Sequence, residues 1–377
     1  MASFSFHRVH IKSFLPTPTY PPHQRPILGS NPCQYRPHHH HHAHKKAYPG
    51  TSFTAATIAM PPRKPPLKVL LLTTFALLLL LLLFQHPHPA QAMPRIILLT
   101  DFDQTLTQLH NDTTPIIARA AYALHPEDDK PAHPWEWYLK MWLDDYAAIS
   151  ATFPPETRKS FSDEEEFARL IRDVEEASIR RVEDGGVFRG MQRGELIKEA
   201  YKNNGCVMRS GWRDVFDKVS RGGGRIAVIS VGWSREWIGY CLGGREDVGI
   251  YANEMIAGPD GKLTGFLDRI GLNGGGLWNS IDKRDYARWI VDQEKRKGYE
   301  VVVVYAGDAL TDLFAMYEAD LGLVFGRGLD HVCGRLGVPI RKGIPEGFIG
   351  ARGPGKRSLF EIEEWNEIGE WIDSLEA

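Results

Sequence analysis

Acidic residues are absent from the first hundred positions of this 377-residue chain, and the first one is Asp101. That segment holds ten of the 45 Lys and Arg residues, so the rest of the chain has 35 basic residues against 47 acidic ones. An acidic balance argues against a nucleic-acid-binding protein, because such proteins present a basic surface. Residues 1–66 are rich in Pro, His, Ser and Thr, and we predict a disordered, low-complexity tail that includes the spacer His38–His42.

Cysteine is scarce, and its spacing excludes two common kinds of structural site. The chain has four cysteines and no Cys-x-x-Cys pair, which fits neither a disulfide scaffold nor a zinc site. We therefore predict buried free thiols in the globular part. The four residues are Cys33, Cys206, Cys241 and Cys333.

Long hydrophobic runs are also rare, since only Val69–Phe84 forms one, with 16 uncharged residues. At ~1.5 Å per residue it would span about 24 Å as a helix, somewhat less than a bilayer core of ~30 Å. We predict a single signal anchor over residues 67–84 and a membrane-associated protein. The alternatives are a cleaved signal ending at Ala90-Gln91-Ala92, a transit-peptide-like tail, and translation from Met93 that leaves a cytoplasmic protein.

Two carboxylates follow the apolar stretch Ile96–Leu99, which reads as a short buried parallel strand. Asp101 and Asp103 are two residues apart, so on an extended segment both side chains point to the same side. Ligand sites of open α/β sheets lie at the carboxyl ends of the strands. A close carboxylate pair is unfavourable unless a cation or a shared proton relieves the repulsion, so it indicates a metal site or acid–base chemistry.

A second acidic cluster follows Val301–Tyr305, another buried-strand pattern. Gly307 permits a tight turn, Asp308 lies at the strand tip, and Asp312 follows one helical turn later. Two such clusters would bring three or four carboxylates together. Oxygen ligands of this kind suit Mg²⁺.

These motifs resemble those of the haloacid dehalogenase superfamily. Asp101-x-Asp103-x-Thr105 and Gly307-Asp308-x-x-x-Asp312 are similar to its first and fourth motifs. Between them, the apolar strand Arg225–Ser230 matches the second motif, and Lys283 fits the third, with Arg284 as its nearest competitor. The stretches Ser230–Trp233 and Tyr251–Glu254 look most like the phosphoserine-phosphatase-like branch. The resemblance covers roughly residues 95–345.

The resemblance implies an α/β fold with a Rossmann-like parallel sheet core and a helical cap inserted after the first strand. We expect a core at 93–111 and 209–350, a cap at 112–208, and a C-terminal helix at 351–377, whose amphipathic pattern covers Leu359–Leu375. Helical patterns in the cap cover Pro134–Ile149, Asp163–Val182 and Arg193–Asn203, and Pro259-Asp260-Gly261 marks the turn of a β-hairpin. The cap aromatics would either line a substrate pocket or pack between the cap helices. They are Trp135, Trp137, Tyr138, Trp142 and Tyr146.

The resemblance also implies a role for each motif residue. Asp101 would be the nucleophile and Asp103 the general acid and base, with Ser230 and Lys283 completing the catalytic set. Substrate contacts would come from Thr105, Ser230 and Gly232. Gln104 stands where many phosphatases of this branch have Gly. The Mg²⁺ ligands would be Asp101, Asp103 through its backbone carbonyl, Asp308 and Asp312.

We therefore expect a Mg²⁺-dependent phosphatase that hydrolyses a small phosphomonoester through an aspartyl-phosphate intermediate. The alternatives are a phosphotransferase or mutase of the same superfamily, or a catalytically silent interaction module. Asp103 disfavours dehalogenation, which needs no acid–base Asp there, and a single hydrophobic run excludes an ion-pumping ATPase. The expected partner is a small phosphorylated metabolite, such as phosphoserine, phosphoethanolamine, phosphocholine, a sugar phosphate or a methionine-salvage intermediate.

Overall fold

A computed structural model of the chain describes residues 94–109, 111–269, 271–272, 275–349 and 357–376. Within them, nine strands and ten α-helices follow one another along the chain. The strands are β1 Arg95–Thr100, β2 Arg225–Ser230, β3 Val248–Ala252, β4 Met255–Ala257, β5 Leu263–Leu267, β6 Val301–Gly307, β7 Leu321–Phe325, β8 Ile340–Lys342 and β9 Leu359–Ile362. The helices are α1 Thr113–Leu124, α2 Trp135–Thr152, α3 Phe161–Asp184, α4 Arg193–Asn204, α5 Trp212–Arg221, α6 Arg235–Cys241, α7 Ser280–Arg296, α8 Leu313–Glu318, α9 Asp330–Leu336 and α10 Trp365–Glu376.

Seven parallel strands form one sheet in the order β3-β2-β1-β6-β7-β9-β8. Side chains alternate along each strand, so Ile97 and Leu99 of β1 enter one hydrophobic core while Leu98 enters the other. Helices cover both faces, which explains why the strands read as continuous apolar runs. The predicted α/β fold with a parallel, Rossmann-like sheet is confirmed.

The chain between β1 and β2 holds the helices α1 to α5, of which α1 to α4 fall within the predicted insertion, so the predicted helical insertion after the first strand is confirmed. Helix α1 packs against α4, and α2 packs against α3. The start of α3 is a capping box, in which the Ser160 side chain accepts from Asp163 N–H and the Asp163 carboxylate accepts from Ser160 N–H. The domain boundaries at 111/112 and 208/209 stay a prediction.

The predicted β-hairpin is confirmed as the antiparallel pair β4 and β5. Its second strand is held by the insertion, because Leu263 exchanges backbone hydrogen bonds with Gly190 and Met191 at 2.8 Å each. In addition, the buried carboxylate of Glu183 at the end of α3 accepts from Leu267 N–H at 3.0 Å. The hairpin therefore joins the cap to the core.

The prediction for the C-terminal segment is partly wrong. Leu359–Ile362 is a strand inside the sheet, between β7 and β8, and the helix begins only at Trp365. The four residues of this strand are largely buried, as a position inside the sheet requires. So short a run cannot be distinguished by sequence from the helical pattern that follows it. Helix α10 packs against α5 and buries Trp365 and Trp371.

The membrane prediction is contradicted. Within the described ranges, no helix is both long and apolar enough to cross a bilayer. The longest helix there, α3, has 24 residues but carries charged groups such as Glu166 and Arg169 on its exposed side. The anchor predicted at 67–84 lies outside the described residues. The predicted transmembrane helix and membrane-associated location therefore have no support.

The cysteine prediction holds for only one of the three described cysteines. Cys333 is a buried free thiol, whereas Cys206 and Cys241 form a disulfide with a Cα–Cα separation of 5.7 Å. The pair is 35 residues apart in sequence, and the fold brings the loop after α4 beside the end of α6. Spacing alone therefore did not reveal the pairing. Cys33 lies outside the described residues.

Candidate active site

The two acidic clusters meet at the carboxyl ends of the neighbouring strands β1 and β6. Asp101 directly follows β1, and its N–H donates to the carbonyl of Ala306 on β6 at 2.9 Å. Asp101, Asp308 and Asp312 are all buried, and each places one carboxylate oxygen within 4.8 Å of the others. Such a group of like charges raises the proton affinity of its members. Burial, together with the charges of Asp101 and Asp312, holds the pKa of Asp308 well above its usual range.

Lys283 places a cation inside this carboxylate group. Its side chain has no solvent exposure, and Nζ lies 2.8 Å from Oδ1 of Asp101 and 2.7 Å from Oδ1 of Asp312. Burial alone would lower the pKa of Lys283, but the two carboxylates more than offset this and hold it above its ordinary value. The lysine therefore stays charged in the site.

The start of helix α7 directs Lys283 inward. The Asn279 side chain accepts from the N–H groups of Ile281 and Asp282, and the Asp282 carboxylate accepts from the N–H of Asn279. Arg284, the competing cation, points instead to the insertion, where its guanidinium pairs with Glu165 of α3. Of the two candidates for the third motif, it is Lys283 that contacts the carboxylate group.

Asp101 itself titrates at an unusual position. Burial raises the pKa of Asp101 to about 7 despite the opposing charge of Lys283, and Asp312 contributes to the rise. A further positive charge next to this carboxylate would favour its ionised form. This is the electrostatic situation expected of a cation site.

Three groups fix the carboxylate of Asp312. Besides Lys283, the buried Tyr305 hydroxyl donates to its Oδ1 at 3.0 Å, and the Ala309 N–H donates to its Oδ2 at 3.3 Å. Burial and the surrounding carboxylates hold the pKa of Tyr305 well above its usual range, so this hydroxyl keeps its proton and can donate. Gly307 is needed for the close approach, because a β-carbon there would lie 2.5 Å from Cγ of Asp312.

Asp103 faces away from the carboxylate group and toward the insertion. Its Oδ1 accepts from both the N–H of Thr113, at 2.9 Å, and the Thr113 hydroxyl, at 2.6 Å. Burial is the largest cause that raises the pKa of Asp103 well above its usual value, and the charges of Asp112 and Asp101 add to it. A raised pKa makes a carboxyl group better suited to donate a proton.

Ser230 and Gly232 lie at the end of β2, the strand next to β1. Both are buried, and the Ser230 hydroxyl accepts from the Gly232 N–H at 3.0 Å. Asn253 steadies this loop, since its Nδ2 donates to the carbonyls of Val231 and Leu277 at 3.1 and 2.8 Å. Leu277 begins the segment that leads into α7, so one amide side chain connects the second and third motifs.

Thr105, predicted as a substrate contact, is fully buried in the loop that follows Asp103. Its hydroxyl lies 3.4 Å from Oδ1 of Asp308, and its carbonyl accepts from the Trp365 indole at 3.0 Å. The first-motif loop is thereby attached to both β6 and α10. The predicted substrate roles of Thr105, Ser230 and Gly232, like the catalytic and metal roles above, stay predictions.

The cap aromatics divide into two groups. Tyr138 is buried, and Trp142 and Tyr146 pack within the insertion with ring centroids 5.3 Å apart. Trp135 instead meets Trp233, three residues after Ser230, in an edge-to-face contact at 6.3 Å. Most of the cluster is therefore packing between cap helices, and only Trp135 reaches the loop of the second motif.

Several groups at the site had no clear sequence signal. They are Thr113, Gln104, Asp112, Tyr305 and Asn253. Tyr305 ends a predicted buried strand, and Asn253 falls in a stretch similar to the phosphoserine-phosphatase-like branch, so both were near a motif. Thr113 and Asp112 carried only the local signal of a helix start, because Asp and Thr are common residue types at such positions.

Motifs one, two and four lie at the carboxyl ends of β1, β2 and β6, and motif three lies at the start of helix α7. This arrangement is the one that the resemblance to the haloacid dehalogenase superfamily implies. Comparison with protein-family models gives no match. Among curated proteins, the chain is 23% identical over 310 residues to the bifunctional TH2 protein, mitochondrial, of Arabidopsis thaliana, a match that covers 72% of this chain and 48% of that protein. The chain thus spans about half the length of this relative.

Three solved structures are examples of those to which the chain is similar. A phospho-aspartyl intermediate analogue of phosphoserine phosphatase is 18% identical and covers 74% of this chain and 99% of its own, with a TM-score of 0.42. Cytosolic 5'-nucleotidase IIIB bound to cytidine is 13% identical over 75% and 86%, with a TM-score of 0.43. A haloacid dehalogenase family hydrolase from Salmonella enterica serovar Typhi is 18% identical over 70% and 74%, with a TM-score of 0.36.

Proposed function

We propose that this protein is a Mg²⁺-dependent phosphatase that hydrolyses a small phosphomonoester. One observation carries the proposal: the buried Asp101 carboxylate contacts Lys283 and belongs to a group of three carboxylates at the ends of β1 and β6. A structural salt bridge needs one carboxylate for one lysine. The additional buried carboxylates make the group energetically unfavourable unless a bound cation or a reaction with a phosphoryl group makes use of them.

The donor set fits Mg²⁺. Asp101, Asp308 and Asp312 offer oxygen ligands within 4.8 Å of one another, and the backbone carbonyl of Asp103 would add a fourth oxygen. Their burial and mutual repulsion favour a divalent cation over bulk water or a monovalent ion. When bound, Mg²⁺ would offset the negative charge of the phosphoryl group during transfer.

The first step is attack of an Asp101 carboxylate oxygen on phosphorus. A P–O bond to the aspartate forms as the P–O bond to the alcohol breaks, and Asp103 gives its proton to the departing alkoxide. Lys283 favours the ionised form of Asp101 and offsets the charge that the phosphoryl group brings. Ser230 would donate its hydroxyl hydrogen to a phosphoryl oxygen.

The second step returns Asp101 to its free form. Asp103, now a carboxylate, takes a proton from water, whose oxygen attacks phosphorus and releases the Asp101 oxygen as inorganic phosphate forms. The two hydrogen bonds from Thr113 keep the carboxylate of Asp103 in one orientation for both proton transfers. The two aspartates thus divide nucleophilic and acid–base work between them.

Phosphate release by the full chain tests the proposal. We would measure it against a panel of phosphomonoesters with Mg²⁺ and after EDTA treatment. Asp101→Asn should lower release by on the order of a thousandfold or more, because the nucleophile is removed. The matched control is Asp373→Asn, whose exposed carboxylate pairs with Lys218 on the surface and should leave release unchanged. A folded protein that releases no phosphate, or one whose release survives Asp101→Asn, would contradict the proposal.

A further inference from the structure

Gln104 adopts a backbone conformation that its residue type disfavours. Its φ is 58°, and it is the one residue other than glycine with positive φ in the part of the chain that the structure describes. A Gly at this position would adopt the same conformation without strain. Retention of a strained residue next to a catalytic group points to a use for its side chain.

The Gln104 side chain is buried and makes one specific contact. Its Nε2 donates to Oδ1 of Asp112 at 2.8 Å. Asp112 is the N-cap residue of α1, a position where an Asp side chain commonly accepts from the first helical N–H groups. Here its side chain makes no such capping bond. The Asp112 side chain therefore contacts Gln104 instead of capping the helix.

This contact closes a ring around Asp103. Gln104 is covalently next to Asp103, and Thr113 is covalently next to Asp112. The Gln104–Asp112 bond joins one side, and the two bonds from Thr113 to Oδ1 of Asp103 join the other. The backbone of Gln104 is held as well, because its N–H donates to the hydroxyl of Thr107 at 2.8 Å.

We propose that the Gln104–Asp112 hydrogen bond is a positioning device that fixes the Asp103 carboxyl group for proton transfer to the leaving oxygen. The inference rests on the proposed phosphatase function. Gln104 and Asp112 act through Thr113 and the backbone, without contact to the reacting atoms. The pair matters most for esters whose leaving group needs a proton, since a poorly placed acid slows those selectively.

The test exchanges donor and acceptor across the pair. Gln104→Glu removes the donor and places two carboxylates opposite each other, whereas Asp112→Asn keeps an acceptor oxygen but removes its charge, which weakens the hydrogen bond. The double variant Gln104→Glu/Asp112→Asn restores one donor and one acceptor with the original net charge. The probes are phenyl phosphate, whose leaving group needs protonation, and p-nitrophenyl phosphate, whose leaving group departs readily without it.

Gln104→Glu should lower kcat for phenyl phosphate about ten- to a hundredfold, with KM nearly unchanged and a much smaller loss for p-nitrophenyl phosphate. Asp112→Asn should show the same selectivity with a smaller loss, because an acceptor oxygen remains. The double variant should recover most of the loss. Gln104→Gly provides a second route should a charged variant fold poorly, because it keeps the backbone conformation, removes the contact and should show the same selectivity between the two esters.

Equal losses on both esters, a failure of the double variant to recover, or a change confined to KM would each overturn the inference. Turnover by the unaltered protein is measured first beside Asp101→Asn. Absence of Asp101-dependent turnover would count against the proposed function. Wild-type-like selectivity in Gln104→Gly and both single variants, with turnover intact, would count against the positioning role alone.

Discussion

Replacement of Lys283 by Met tests the electrostatic balance of the carboxylate group. The change removes a fully buried cation that contacts Asp101 and Asp312 at 2.8 and 2.7 Å, while the unbranched side chain keeps most of the volume. Loss of one partner of a buried ion pair costs about 3–5 kcal/mol, because the other charge stays buried without compensation. We expect that loss in the free energy of unfolding of the metal-free protein at neutral pH, and loss of phosphatase activity.

Mg²⁺ should reverse much of the destabilisation. Removal of Lys283 takes a positive charge away from the carboxylates, so they should bind a divalent cation more tightly than in the unaltered protein. A ligand at about a hundred times its Kd adds ~2.7 kcal/mol of stability. The assay is urea or thermal unfolding with EDTA and across a Mg²⁺ titration, and the midpoint of Lys283→Met should rise more steeply than that of the unaltered protein.

Arg284→Met is the matched control. Arg284 is the neighbouring cation, but its guanidinium pairs with Glu165 and Asp285 away from the site. Its loss should change neither phosphate release nor the response to Mg²⁺. The reasoning is refuted when Lys283→Met unfolds at the same midpoint as the unaltered protein with EDTA, or when Mg²⁺ stabilises both proteins equally.

Three further predictions concern the same carboxylates. Gly307→Ala should displace Asp312 and cost about 1–3 kcal/mol of unfolding free energy with a large loss of activity, whereas Gly334→Ala, which meets no atom within 4 Å, should be neutral or stabilising. Tyr305→Phe should weaken Mg²⁺ affinity in a calorimetric titration and cost about 1–3 kcal/mol, because the Asp312 carboxylate loses a buried donor. In metal-free protein, the pKa of Asp101, raised to about 7, means that the folded state holds this proton more tightly than the unfolded state. The contribution of Asp101 to the unfolding free energy should therefore be greatest below about pH 4 and fall by up to about 4 kcal/mol as the pH rises through 7, measured by urea unfolding with EDTA as the difference between the unaltered protein and Asp101→Asn; a rise of that difference over the same range would contradict the assignment.

The sheet and the main site residues were predictable because their signals are local and strong. Apolar strands of four or five residues that end in Asp101 or Asp308 identify both the strand and the position of the carboxylate. Parallel strand order then brings the two ends together. Lys283 could be predicted only from its position relative to these motifs. The sequence did not distinguish it from Arg284, because the direction of each side chain depends on how α7 begins.

Other features depend on contacts between distant segments and therefore left no local signal. The strand β9 reads like the start of the helix that follows, and only a place between β7 and β8 makes it a strand. The pairing of Cys206 with Cys241 follows from the approach of the cap exit to α6. Gln104 is a different case, because its partners Thr107 and Asp112 are close in sequence, but a positive φ is uncommon for a residue other than glycine and was not predicted.

The indole of Trp365 donates to the carbonyl of Thr105, 260 positions earlier in the chain. The loop that carries Asp101 and Asp103 therefore accepts a buried hydrogen bond from a residue that is translated much later. β8 has a similar dependence, since its partner in the sheet is the later strand β9. During synthesis, the first-motif loop would emerge early. It would reach its final conformation only after nearly all of the described fold had been translated.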